Sequence, residues 1–172
     1  RARRLSGAAP VTPLTPAARW LGPILFVVIV VADFVTKQWA LSALTGQGRV
    51  PVTDFFNLVL VWNTGVSFGM FQSNGELGRW LLVALALAIS SILLFWLSRE
   101  RRLWPRLAIW LIIAGALGNV LDRIRFGAVV DFLDFHLFGY HWPAFNIADS
   151  VIVVGAVILV VDSLFGGGRG LS

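Results

Sequence analysis

Between Arg79 and Arg99 the sequence reads WLLVALALAISSILLFWLS, nineteen residues without a charged side chain. As a helix this stretch would rise about 28 Å, close to the roughly 30 Å hydrocarbon core of a bilayer. It therefore predicts a transmembrane helix. The composition agrees, because 58% of the chain is hydrophobic and only 13% is charged, against about 25% charged residues in soluble domains. A soluble enzyme and a disordered chain are both excluded.

Three further apolar stretches predict three more spans. The first begins at Trp20 and runs to about Leu44. The other two contain uncharged runs at 107–121 and 150–161, which are shorter than a bilayer and must draw their polar flanks towards the membrane. The predicted organisation is a tail at 1–19, a four-span domain at 20–165 with outer connections at 45–77 and 124–143, and a tail at 166–172.

The orientation follows from the basic residues. Nine of the fourteen fall in the two tails and in the connection between the second and third spans, which predicts that both termini are cytoplasmic. Basic residues scattered among apolar runs do not form a stripe that binds nucleic acid, despite the net charge of +5.

The outer connections contain VTDFFNLVLVW and GAVVDFLDFHLF, whose aromatic and β-branched residues predict strands. The expected fold is an all-α membrane protein, a bundle of four transmembrane helices with a small extracytoplasmic β-sheet.

Polar side chains converge on the outer ends of the predicted spans. An ionisable group near mid-membrane costs at least ~2.5 to 3.5 kcal/mol, so its presence suggests a function. The chain has no cysteine, which excludes thiolate chemistry and disulfides. The candidate residues at this level are Asp33, Lys37, Asn119, Asp122, Arg123, Asn146 and Asp149, with Asp131 in the outer connection.

Several of these candidates also have a structural interpretation. Asp33 and Lys37 are spaced i, i+4 and could form an ion pair within one helix. Asp122, next to basic residues, could clamp a helix end. Asn146 could cap the fourth helix. Asp162, on the inner side, is expected to be solvated.

Asp131 and Asp149 differ from the other acids, because neither has a basic residue within five positions. Two carboxyl groups brought together beside lipid cannot both ionise and would share one proton. Such a pair suits peptide hydrolysis, since one member can accept a proton from water while the other polarises the scissile carbonyl. From these residues alone, caps and loop-anchoring carboxylates remain open as alternatives.

Five short motifs carry a resemblance to a known family. They are DFVTK at 33–37, NTGVSF at 63–68, GNVLDR at 118–123, VVDF at 129–132 and FNIADS at 145–150. In this order, on a four-span scaffold, they resemble the lipoprotein signal peptidases, the type II signal peptidases of bacteria. Ser67 stands where that family usually has Ala.

The resemblance implies an intramembrane aspartic endopeptidase of the bacterial inner membrane. It implies removal of the signal peptide from diacylglyceryl-modified prolipoproteins, before the lipidated cysteine, and inhibition by globomycin-type peptides. It further implies a β-cradle, a mobile outer loop or helix, and no cofactor or metal; we expect a monomer embedded in lipid. Asp131 and Asp149 would be catalytic, and the residues implied to support the site or bind substrate are Asp33, Lys37, Asn63, Gly65, Asn119, Asp122, Arg123 and Asn146.

Three other hypotheses are weaker. A serine protease would use Ser67 with Lys37, although nothing in the sequence brings the two together. A metalloprotease would enlist Asp131, His136, His141 and Asp149, yet HExxH is absent. A small transporter would carry polar residues through both membrane halves, whereas the inner half here is almost purely apolar.

Overall fold

The structure is a computed structural model that describes residues 16–65 and 75–166. Its four long helices are α1 (Pro16–Leu44), α2 (Gly75–Arg99), α3 (Leu103–Phe126) and α4 (Ile147–Gly166). All four are long and apolar enough to cross a membrane, so the predicted four-span bundle is confirmed.

The helices extend beyond the predicted limits of the spans. α1 begins at Pro16, four residues inside the predicted tail, and a proline is tolerated there because the first turn of a helix needs no N–H donor. α3 continues to Phe126, three residues into the predicted outer connection. It ends at Gly127, whose positive φ of 81° lets its N–H donate to the carbonyl of Arg123.

Four antiparallel strands form the expected sheet, in the order β1 (Val50–Thr53), β2 (Phe56–Asn63), β3 (Val129–Leu137) and β4 (Tyr140–His141). The sheet packs on the end of α1 through Ala40, Leu44 and Phe132, all buried. We call this end of the molecule the sheet end. The predicted mobile outer helix is not among the described elements, and residues 66–74, which include Ser67, lie outside the description.

α3 is the central helix of the bundle and contacts the other three. Small residues let it approach α4 closely, as is usual where helices pack inside a membrane. At Gly155 of α4, an added Cβ would lie 2.7 Å from the carbonyl oxygen of Ala108. At Gly115 of α3, it would collide with the backbone carbonyl of Ala148.

Gly115→Ala is therefore expected to lower the melting temperature of the detergent-solubilised protein. The obstacle is backbone at the start of α4, which cannot rotate away, and overpacking of this kind costs about 1 to 3 kcal/mol. Ser91→Ala, on the exposed side of α2, is the control and should melt like the parent. A Gly115→Ala protein with the parent's melting temperature would contradict the close packing of α3 on α4.

Candidate active site

A buried ion cluster joins α1 to α3 at the sheet end. Lys37 Nζ lies 2.8 Å from Asp33 Oδ2, as the i, i+4 spacing predicts, and 2.9 Å from Asp122 Oδ2. The lysine is only 1% exposed. Asp122 therefore pairs with a lysine of another helix, and not with its sequence neighbour Arg123 as the helix-end clamp assumed. The second oxygen of Asp33 accepts a hydrogen bond from the N–H of Ala148 at 2.9 Å, which ties α4 to the same cluster.

Asn119 of α3 connects this cluster to Asp149. Its Oδ1 accepts a hydrogen bond from Lys37 Nζ at 3.2 Å, and its Nδ2 donates to Asp149 Oδ1 at 2.7 Å. Because the lysine orients the amide, the NH₂ group is directed at the carboxylate. Asn119, a neutral side chain, thus links the position of Asp149 to the position of the ion cluster.

Asn146 and Asp149 cap α4 reciprocally. Asn146 Oδ1 accepts from the Asp149 N–H at 2.9 Å, and Asp149 Oδ2 accepts from the Asn146 N–H at 3.3 Å, the arrangement of a capping box. The predicted cap is therefore present. Asn146 is fully buried, and its Nδ2 donates to Asp131 Oδ1 at 2.7 Å. One asparagine thus contacts both predicted catalytic acids.

Asp131 lies on β3, where the strand passes over the bundle. It is opposite Val61 of β2, and Asn63 at the end of β2 donates to its second oxygen at 2.9 Å.

Asn63 is itself held by the turn that follows β2. Its Oδ1 accepts a hydrogen bond from the N–H of Gly65 at 2.8 Å. Gly65 has a φ of +77°, a backbone conformation that favours glycine. We call Asp131, Asp149, Asn63, Asn119 and Asn146 the polar centre.

The environment of Asp131 favours its protonated form. Burial raises the pKa of this carboxyl group to about 6, and the charge of Asp149 adds to the rise. The hydrogen bonds from Asn63 and Asn146 act in the opposite direction. The two acids are therefore electrostatically coupled, as two carboxyl groups that share a proton would be.

The raised pKa makes stability depend on pH. Because an ordinary Asp has a pKa of 3.8, the folded protein binds this proton more tightly than the unfolded chain does. The resulting stabilisation is complete below about pH 4 and is lost as pH rises through about 6, a difference of about 3 kcal/mol. Thermal unfolding of the parent and of Asp131→Asn should show the parent gaining stability over the variant between about pH 7 and pH 5. A gap that is constant over this range would contradict the assignment.

Arg123 of α3 lies next to the polar centre. Its Nη1 donates to the carbonyl of Asn119 at 3.4 Å, and its Nε is buried without a hydrogen-bond partner among the described residues. A buried donor without a partner is costly. The guanidinium group can therefore offer a hydrogen bond to a bound molecule.

Asp162, which was expected to be solvated, forms an ion pair. It lies 2.8 Å from Arg102, because the connection before α3 folds back against α4.

The two histidines lie on the sheet. His141 Nδ1 lies 2.9 Å from Asp134, and its ring stacks on His136. Burial tends to raise the pKa of Asp134, but hydrogen bonds from Asn57 and His141 outweigh burial and lower it.

The alternative catalytic sets are not assembled in the described part of the chain. His141 contacts Asp134, and His136 stacks on His141, so neither histidine is paired with Asp131 or Asp149. Within residues 16–65 and 75–166, no group of three or more His, Asp or Glu side chains could hold a metal ion. Lys37 is enclosed by two carboxylates, and its proposed partner Ser67 lies outside the described residues.

Four helices able to span a membrane, with a buried polar centre beneath a small sheet, are the architecture of a polytopic membrane protein. The family description "Signal peptidase (SPase) II" matches residues 25–165. The chain belongs to this family of membrane proteases.

Individual relatives agree with the family assignment. The "Lipoprotein signal peptidase" of Cupriavidus necator is 45% identical over 166 residues, covering 95% of this chain and 90% of that protein. The protein of the same name from Teredinibacter turnerae is 43% identical over 152 residues, covering 87% and 89%. A solved structure described as "Bacterial membrane enzyme structure by the in meso method at 1.9 A resolution" superposes with a TM-score of 0.78 at 28% identity, covering 91% of this chain and 99% of that one.

Proposed function

We propose that this protein is an intramembrane aspartic endopeptidase that removes the signal peptide from diacylglyceryl-modified prolipoproteins, cleaving before the lipidated cysteine. Membership of the signal peptidase II family supports the substrate class. The observation that carries the mechanism is the contact of Asn146 with both acids: its Nδ2 donates to Asp131 and its backbone N–H donates to Asp149.

In this mechanism one acid is the general base and the other is the proton-bearing hydrogen-bond donor. Asp149 lies in the first turn of α4, where the helix dipole favours a negative charge, and it acts as the general base. Asp131, whose pKa is raised to about 6, holds the shared proton and donates a hydrogen bond to the scissile carbonyl oxygen.

The hydrolytic step then follows. Asp149 accepts a proton from a water molecule as the water oxygen bonds to the carbonyl carbon. In the resulting tetrahedral intermediate, the C–N bond breaks as the departing nitrogen takes up that proton. Asp149 is then a carboxylate again and Asp131 still holds its proton, while the new terminal carboxyl group keeps the second hydrogen of the water molecule until it ionises.

The surrounding side chains position the acids and the substrate. Asn63, Asn119 and Asn146 donate to the carboxylates and hold their planes fixed, which is pre-organisation for the transition state. Arg123, with its buried free Nε, binds a backbone carbonyl of the substrate. Lys37 and its two acids act at a distance, by orienting Asn119.

The location suits a substrate with a lipid anchor. A cavity of about 360 Å³ reaches Asp149 from the side of α4 and is lined by Trp142, Phe145 and Val153 among others. We propose that the sheet end faces away from the cytoplasm, that both termini are cytoplasmic and that the enzyme acts as a monomer without a cofactor. Globomycin-type peptides would occupy the same site.

The test uses the purified protein reconstituted in vesicles with one precursor in two forms, with and without diacylglycerol on its cysteine. We expect cleavage of the lipidated form only, with the modified cysteine at the new N-terminus by mass spectrometry, and inhibition by globomycin. Equal cleavage of both forms, or cleavage at another bond, would contradict the proposal.

A further inference from the structure

The turn between β3 and β4 has an unusual backbone. Phe138 has a φ of +50° and is followed by Gly139 with a φ of +82°. Two successive positive φ angles between antiparallel strands are typical of a type I′ turn, in which Asn usually precedes Gly. Phe138 is the only non-glycine residue with positive φ in the part of the chain that the structure describes. A bulky side chain is disfavoured in this conformation.

The same side chain is also placed unfavourably for water. Phe138 is 100% exposed, and its neighbours Leu137, Tyr140 and Trp142 are each at least 60% exposed. From residue 137 to residue 145 the sequence is LFGYHWPAF, with His141 as its one acidic or basic residue. A turn that is strained and exposes apolar side chains is costly in water, which indicates that it is not in water.

The exposed turn is continuous with a surface that faces lipid. Trp142 lines the groove beside Leu137 and Tyr140, and it also lines the cavity that contains Val153 of α4. Val153 is 60% exposed on a helix that crosses the membrane, so its side faces lipid. Trp142 thus joins the apolar side chains on the side of α4 to those of the β3–β4 turn.

We infer that the β3–β4 turn is a membrane anchor, in which Leu137, Phe138 and Tyr140 insert into the lipid interface next to the sheet end of α4. Tyr and Trp are favoured at this level of a bilayer because their rings are apolar and their polar atoms reach water. The anchor holds β3, and with it Asp131, at a fixed depth. The inference concerns the position of the sheet and does not rest on the proposed reaction.

The absence of cysteine from the sequence allows one spin label to be placed at a time. Phe138→Cys, Gln47→Cys and Ile92→Cys are labelled in vesicles, and collisions with lipid-soluble oxygen and with a water-soluble nickel complex are measured. Gln47 lies in an exposed polar turn and Ile92 is exposed at the middle of α2, so they report water and lipid. We expect the ratio of oxygen collisions to nickel collisions to be several-fold higher at position 138 than at position 47.

A label at position 137 then tests the role of the aromatic ring. Leu137→Cys is labelled with and without Phe138→Asn, a change that suits the type I′ turn and removes the ring. The inference requires nickel collisions at position 137 to rise several-fold in the Phe138→Asn background. Nickel access at 138 equal to that at 47 would overturn it. Spin–spin broadening at 138 that disappears on dilution in lipid would also overturn it, because a second copy would then cover the turn.

Discussion

Replacing either Asp131 or Asp149 by Asn is expected to reduce cleavage of a lipidated precursor by at least about 10³-fold. An amide can neither accept the proton of water nor carry the shared proton, and general acid–base groups contribute about 10² to 10⁴-fold each. Initial rates in vesicles with the lipidated precursor are the measurement. Because the two acids act as one unit, the double variant should be scarcely slower than either single variant.

The matched control is Asp162→Asn, which makes the same change on the same helix as Asp149 but at the opposite end, where the acid pairs with Arg102. It should retain the parent's rate. All variants must also insert and melt cooperatively, so that lost activity is not lost protein. A rate within tenfold of the parent for either site variant would exclude the carboxyl pair as the catalytic group.

Lys37→Met is expected to give the largest loss of stability of any single change at the ion cluster. The side chain is buried, and removing it leaves Asp33 and Asp122 facing each other without a cation. Breaking a buried ion pair from one side costs about 3 to 5 kcal/mol. Thermal unfolding in detergent micelles should therefore begin at a clearly lower temperature. Activity should fall too, because Asn119 loses the donor that orients it.

A charge-balanced variant separates electrostatics from packing. Combining Lys37→Met with Asp33→Asn and Asp122→Asn removes all three charges together and should recover much of the lost melting temperature, because no uncompensated charge then remains buried. Arg101→Met, at an exposed position, is the control for loss of one positive charge. If Lys37→Met melted like the parent, the cluster would carry no stability and its role would have to be revised.

Features that depend on neighbouring residues could be predicted from the sequence. The nineteen uncharged residues before Arg99 match one bilayer thickness, so the span in α2 follows from the sequence alone. Asp33 and Lys37 are one helical turn apart, and their ion pair follows from that spacing. Asn146 precedes Asp149 by three residues, which is the spacing of a reciprocal cap.

Features that depend on the packing of distant elements could not be predicted in this way. The pairing of Lys37 with Asp122 spans two helices and has no local signal, whereas the sequence around Asp122 shows only the basic residues next to it. Asp162 finds Arg102 only because the connection before α3 meets the end of α4. The family resemblance named the members of the polar centre, but the bridging by Asn119 and Asn146 follows only from how α3, α4 and β3 meet.

One consequence of this architecture concerns the lipid itself. Asp131 is carried by a strand of the sheet, whereas Asp149 is carried by a helix inside the bundle. Transmembrane helices tilt to match the thickness of the hydrocarbon layer. The hydrogen bonds of Asn146 to both carboxyl groups therefore join a helix that responds to membrane thickness to a strand of the sheet.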